Sequence, residues 1–139
     1  MRLGTREQRN QQVVRRAIAA LNQKDLDLFF SYHTEDTTSH EVYFPEPLPR
    51  GTFRSFLDSF LRAYPDTHIE TRNMIAEGDT VVVENVMSAT FTHDLGETKA
   101  TGRSFTTREA VVFELADGKI KATRIYQDQK TIEEQQGVR

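Results

Sequence analysis

Apolar positions in the first quarter of the chain recur at a helical period. Val14, Ala17, Ile18 and Leu21 stand at i, i+3, i+4 and i+7, one stripe of an amphipathic helix from about Glu7 to Gln23. Asp25 has a side chain that accepts backbone N–H bonds at a helix start. Leu26, Phe29, Phe30 and His33 then repeat the spacing over a short second helix. A third stripe, Phe53, Phe56, Leu57, Phe60, Leu61 and Tyr64, opens after Gly51 and Thr52 and is closed by Pro65. Between the second and third helices, Thr37 to Phe44 are mostly β-branched or aromatic with no helical stripe. They predict a short strand, followed by a stiff loop at Pro45, Pro47 and Pro49.

Beyond Pro65 the period shortens to that of strands. His68–Ala76, Thr80–His93, Arg103–Leu115 and Lys119–Gln129 read as four of them, joined at E-G-D, D-L-G-E and A-D-G-K. Turns this short imply antiparallel neighbours. Helix, helix, strand, helix and four more strands lack the crossover helices of a doubly wound parallel sheet. The expected class is therefore α+β: three N-terminal helices packed on one face of a strongly curved antiparallel sheet, with a single domain over residues 1–139. The polar tail TIEEQQGVR reads as a frayed last helix and has no chemistry assigned to it.

Composition narrows the functional classes. Apolar residues make up 37% of the chain and charged residues 28%, a lean core for a monomer, which points to an oligomer. A homodimer is expected through the uncovered sheet face, where Val82, Val86, Ala110, Val112 and Ile125 offer apolar area. Eighteen Lys and Arg against 21 Asp and Glu give a net charge of -3 with no basic cluster, so a nucleic-acid partner is not expected. There is no cysteine, which excludes thiolate chemistry and disulfides. No apolar run approaches the length of a membrane span, and the N-terminal stretch is polar where a signal peptide is apolar. A soluble, cytoplasmic protein without membrane contact is the expectation.

Four stretches carry a family resemblance: VVRRAIAALNQKDLDLFF, EDTTSHEVYFPEPLPRG, MIAEGDTVVVE and ATGRSFTTREAVVFELADGKI. Together they resemble the SnoaL-like polyketide cyclases, a branch of the cone-shaped α+β barrel superfamily that includes nuclear transport factor two and ketosteroid isomerase. The resemblance implies a pocket between the helices and the concave face of the sheet. It implies acid/base chemistry without a cofactor, such as aldol-type cyclisation or isomerisation, on a small apolar carbonyl-bearing molecule. The same scaffold also carries non-catalytic binding modules, which is the alternative. Two departures from the isomerase stand out. The position of its oxyanion tyrosine is Ala17 here, and that of its protonated aspartate is Val111, so both enolate donors are missing.

Strand alternation selects the candidates for such a pocket. Val81, Val83, Asn85, Met87, Ala89, Phe91 and His93 form the more apolar phase of their strand, which brings Asn85, Met87, Phe91 and His93 inward. Glu109 shares a face with Phe105, Val111 and Phe113. On the last strand Arg124, Tyr126 and Asp128 share a phase with Ile120 and Ala122. His40 and Glu41 occupy the place where the isomerase carries its proton-abstracting aspartate, and only one of them can point inward. Val42 and Phe44 share the phase of His40, which favours His40 and leaves Glu41 as the alternative base. The roles expected are proton transfer by Asp128 and His40 and anion stabilisation by Arg124, with Tyr126, Asn85 and His93 orienting the ligand. Asp128, enclosed among apolar groups, is expected to be less acidic than in water. The structural alternative is that Arg124 forms a buried ion pair with Asp128 or Glu109. No H-x-H or E-x-x-H spacing occurs, and no metal is expected.

Overall fold

In a computed structural model, which describes residues 4–138, the chain opens on a capping box. The Thr5 hydroxyl accepts the Gln8 N–H at 3.1 Å, and the Gln8 carboxamide oxygen accepts the Thr5 N–H at 2.9 Å. Helix α1 (Arg6–Asn22) follows and buries Val14 and Ala17 completely. Asp25 caps α2 (Leu26–Ser31) by accepting the Leu28 N–H at 3.0 Å, as its position predicted. The chain continues as β1 (His33–Glu41), β2 (Leu48–Pro49), α3 (Arg50–Ala63), β3 (His68–Glu77), β4 (Thr80–Thr90), β5 (Ser104–Ala116), β6 (Lys119–Gln127) and α4 (Gln129–Gln136).

The six strands form one sheet in the order β2-β1-β6-β5-β4-β3. This is the expected α+β class, with a curved, unclosed sheet. All neighbours are antiparallel except β1 and β6, which run parallel with His40 beside Arg124 and Glu41 beside Ile125. Parallel pairing needs a long connection, and the whole of α3 to β5 supplies it. The apolar stripe of α1 and the Phe29, Phe30 and Phe53 cluster pack on Val81, Val83, Val111 and Phe113 of the sheet.

Three boundaries differ from the sequence reading. β1 begins at His33, four residues earlier than expected, and ends at Glu41, so Val42 and Phe44 lie in a turn where strand alternation no longer applies. β4 ends at Thr90, leaving His93 beyond the sheet. The polar tail is an ordered helix: Asp128 caps its start through the Thr131 N–H at 3.0 Å, and left-handed Gly137 (φ 77°) ends it.

His33, expected on the second helix, instead starts β1 at 2% exposure, its ring 4.5 Å from that of Phe29. Its Nδ1 bonds the Phe29 carbonyl at 2.8 Å while Nε2 has no partner. Burial, aided by the Arg50 charge and opposed by the Phe29 bond, holds its pKa down at about 4. The unfolded chain, whose histidine titrates near 6.5, takes up the proton first. This group therefore costs the fold stability as pH falls from 6.5 towards 4. The full loss is on the order of 3 kcal/mol. Urea denaturation of wild type and His33→Asn at pH 7 and pH 4.5 checks it. The variant, which cannot protonate there, should lose less on acidification, and an equal loss in both proteins would contradict the assignment.

Candidate functional site

The concave face of the sheet, α1, α3 and α4 enclose a cavity of about 580 Å³. Its body is apolar, walled by Phe53, Phe56 and Phe60 of α3 and by Met87, Phe91 and Phe105 near the sheet. The apolar face of α3 does two jobs, filling the interior at Phe53 and Leu61 and lining the cavity along its length.

Strand register carries a single row of polar side chains across this apolar face. Asn85 stands opposite Glu109, and Glu109 opposite Gln127. Glu41 comes alongside from the parallel strand β1. The Thr71 hydroxyl donates to Asn85 Oδ1 at 2.9 Å, and Asn85 Nδ2 donates to Glu109 Oε2 at 3.0 Å. At the other end the Tyr43 hydroxyl donates to Glu41 Oε2, and the Gln127 carboxamide also bonds Glu41. Donors thus converge from both ends of the row on two buried carboxyl groups.

Both carboxyls are held above the ordinary glutamate range. Burial is the main cause for Glu41, opposed by the Tyr43 and Gln127 bonds. Burial also dominates at Glu109, where a single bond from Asn85 opposes it and the charge of Glu41 adds to it. Glu41 has more donors to its ionised form than Glu109, which favours the charge at Glu41. Burial and the same Glu41 contact keep the Tyr43 phenol protonated, raising its pKa far above its usual value.

Five of the residues read from the sequence line the cavity: Glu41, Asn85, Met87, Phe91 and Glu109. Five do not. His40 points to the other face of β1, its Nε2 bonded to the Phe44 carbonyl at 2.9 Å. Arg124 pairs with Glu114 at 2.5 Å on the convex face, joined there by Tyr126 at 45% exposure. Asp128 is exposed as the α4 cap, and His93 is exposed beyond β4. The Thr131 hydroxyl and N–H hold the Asp128 carboxyl below its ordinary value, the reverse of the shift expected for an enclosed group.

The cause on β6 is a bulge. Leu115 pairs with Ile120 but Glu114 with Ala122, so Lys121 is an extra residue and the inward phase passes to Thr123, Ile125 and Gln127. Ile125, expected on the outer face, therefore lines the cavity. Sequence reading missed Tyr43, Thr123, Gln127 and Glu133. For Glu133 a signal existed: Gln129, Glu133 and Gln136 share the i, i+4, i+7 stripe of α4 that faces the cavity.

A curved sheet closed by helices over a cavity with its polar groups on one wall defines the cone-shaped class shared with ketosteroid isomerase and nuclear transport factor two. The profile of the SnoaL-like polyketide cyclase family matches residues 11–136, and the chain belongs to that family. It is similar to a solved protein described as a SnoaL-like polyketide cyclase from Jannaschia sp. CCS1 (TM-score 0.87, 17% identity, covering 100% of this chain and 99% of that one). It is also similar to one described as a polyketide cyclase from Xanthomonas campestris pv. campestris (TM-score 0.76, 25% identity, 92% and 97% covered). A third is an epoxide hydrolase of the LEH-like type from M. tuberculosis (TM-score 0.77, 17% identity, 95% and 92% covered). No curated protein sequence matches the chain. Ala17 and Val111 both line the cavity as part of its apolar wall.

Substitutions at two positions test the site's construction. Glu109→Gln keeps an acceptor for Asn85 but removes the buried charge. A carboxyl with a raised pKa loses stability for the fold as pH climbs from 4.5 through its folded pKa. The variant should therefore melt about a few degrees higher than wild type at pH 8, with the gap closing near pH 5. Asp128→Ala should lower the melting midpoint by about a few degrees, whereas Asp128→Asn, which retains a capping oxygen, should leave it nearly unchanged. Calorimetry reads both.

Proposed function

We propose that the protein is a cofactor-independent acid/base catalyst acting on a small, largely apolar carbonyl compound by aldol-type cyclisation or isomerisation. The observation that carries this reading is the pair of buried carboxyls, Glu41 and Glu109, on the polar row of an apolar cavity. The proton-transfer roles first read for His40 and Asp128, and the anion-stabilising role read for Arg124, pass to this pair, because those three side chains face away from the cavity.

Glu41, the more readily ionised of the two, takes a proton from the carbon next to the substrate carbonyl. The C–H electron pair moves into the enol, and Glu109, still protonated, donates to the developing oxygen charge. In a cyclisation the enol carbon attacks a second carbonyl of the same molecule, the enol oxygen returns its proton to Glu109 as its own carbonyl re-forms, and the proton held by Glu41 goes to the new hydroxyl. In an isomerisation it returns to a different carbon. With Ala17 and Val111 in place of donors, Glu109 is the acid that takes over the oxyanion role.

Deuterium wash-in at the acidic carbon of apolar 1,3-dicarbonyl compounds, followed by NMR, tests the reading without knowledge of the natural substrate. Wild type should accelerate exchange, with a rate that rises as Glu41 ionises above the ordinary glutamate range. Glu41→Gln should slow it by about a hundredfold or more. Exchange unaffected by Glu41→Gln and Glu109→Gln would overturn the assignment. Ligand binding with no exchange in any protein would favour a non-catalytic binding module.

We also propose that the chain forms a homodimer through the convex face of its sheet. Ile75, Val82 and Val112 stand in register there, with Ile75 60% exposed, and no element among the described residues covers them. Analytical ultracentrifugation at micromolar concentration should find a dimer that Ile75→Glu weakens. A wild-type monomer would contradict it.

A further inference from the structure

We propose that the cavity selects molecules whose polar end is a protonated amine, so that its carbonyl substrates carry a basic nitrogen. This rests on the preceding reading only in taking the same cavity as the functional site.

Charge is the first ground. Among the described residues, the ionisable acids lining the cavity are Glu41, Glu109 and Glu133, and no Lys, Arg or His lines it. Arg124 of β6 is engaged with Glu114 on the opposite face. Glu133 reaches the same end as Glu41, since both charges act on the Tyr43 hydroxyl. Tyr43 itself is 41% exposed, so this end of the cavity meets solvent. An anionic ligand would bury its charge beside like charges with no counterion, whereas a cation answers them.

Hydrogen-bond accounting is the second and independent ground. The donors of the polar row are already directed at the carboxyls, from Thr71 through Asn85 to Glu109 and from Tyr43 to Glu41. The open valences are elsewhere. Gln127 Oε1 is buried with no partner, and so is the hydroxyl of Thr123, a residue only 5% exposed on the cavity wall. A carboxamide oxygen can only accept, so it is open to an N–H or O–H donor of a bound ligand. An ammonium supplies up to three N–H groups and a charge together.

The described residues form no group of three acids or histidines able to hold a metal ion. The cation is therefore organic. The rings of Phe44, Phe56, Phe60, Phe91 and Phe105 give it an apolar body to pack against and aromatic faces that favour a nearby cation.

Three near-isosteric probes separate the outcomes: terminally substituted phenylbutylamine, phenylbutanol and phenylbutanoate, titrated calorimetrically at neutral pH. Wild type should bind the amine at least about tenfold more tightly than the alcohol, with no measurable heat from the carboxylate. Glu133→Gln, which lies outside the proton-transfer pair, should weaken the amine about fivefold and leave the alcohol unchanged. An alcohol or carboxylate bound as tightly as the amine would overturn the inference, as would a Glu133→Gln effect equal for amine and alcohol. Deuterium exchange of neutral dicarbonyls with no amine preference would overturn this inference alone. Amine binding without exchange would overturn the acid/base reading alone.

Discussion

Two glutamates facing one apolar cavity cannot both ionise cheaply. That constraint organises the molecule: the Asn85, Tyr43 and Gln127 donors are spent on one or the other carboxyl, and the asymmetry of these donors distinguishes the two groups. Glu41 has a phenol and a carboxamide, Glu109 a single carboxamide and a negative neighbour. In the acid/base reading we propose, the same environment that penalises charge makes one group a base and leaves the other an acid.

The fold exists to bring that row together. Asn85, Glu109 and Gln127 come from consecutive antiparallel strands, which register alone would align. Glu41 joins them only because β1 lies in the sheet in parallel with β6, the two linked by a connection of more than half the chain. Helix α4 then folds its Gln129, Glu133 and Gln136 stripe over the cavity. The Tyr64 hydroxyl donates to the Gln136 carboxamide and anchors that helix to the end of α3. Removing the row's polarity would leave a plain apolar core, and removing α4 would leave the row open to water, where neither carboxyl would be perturbed.

Much of this was legible in the residues. The stripes of α1 and α3 and the inward phases of β4 and β5 follow from spacing, and with them Asn85, Met87, Phe91 and Glu109. What stayed hidden depended on where alternation stops. A bulge at Lys121 leaves no mark in A-D-G-K-I-K-A-T-R, yet it turns Arg124 and Tyr126 outward and brings in Thr123 and Gln127. Val42 and Phe44 argued for His40 only on the premise that the strand continued. It ends at Glu41, and the carboxylate faces the cavity. The tail's chemistry was missed because its helical stripe is built from Gln and Glu, with Ile132 as its one buried aliphatic.

The most direct measurement is a carboxyl carbon NMR titration of the glutamate-labelled protein, repeated in Glu41→Gln. Two resonances should titrate above the ordinary glutamate range, and the one assigned to Glu109 should move down when the charge at Glu41 is removed. If both groups titrate with the surface glutamates, or if Glu109 is indifferent to the loss of Glu41, the two do not share a cavity as a coupled acid and base.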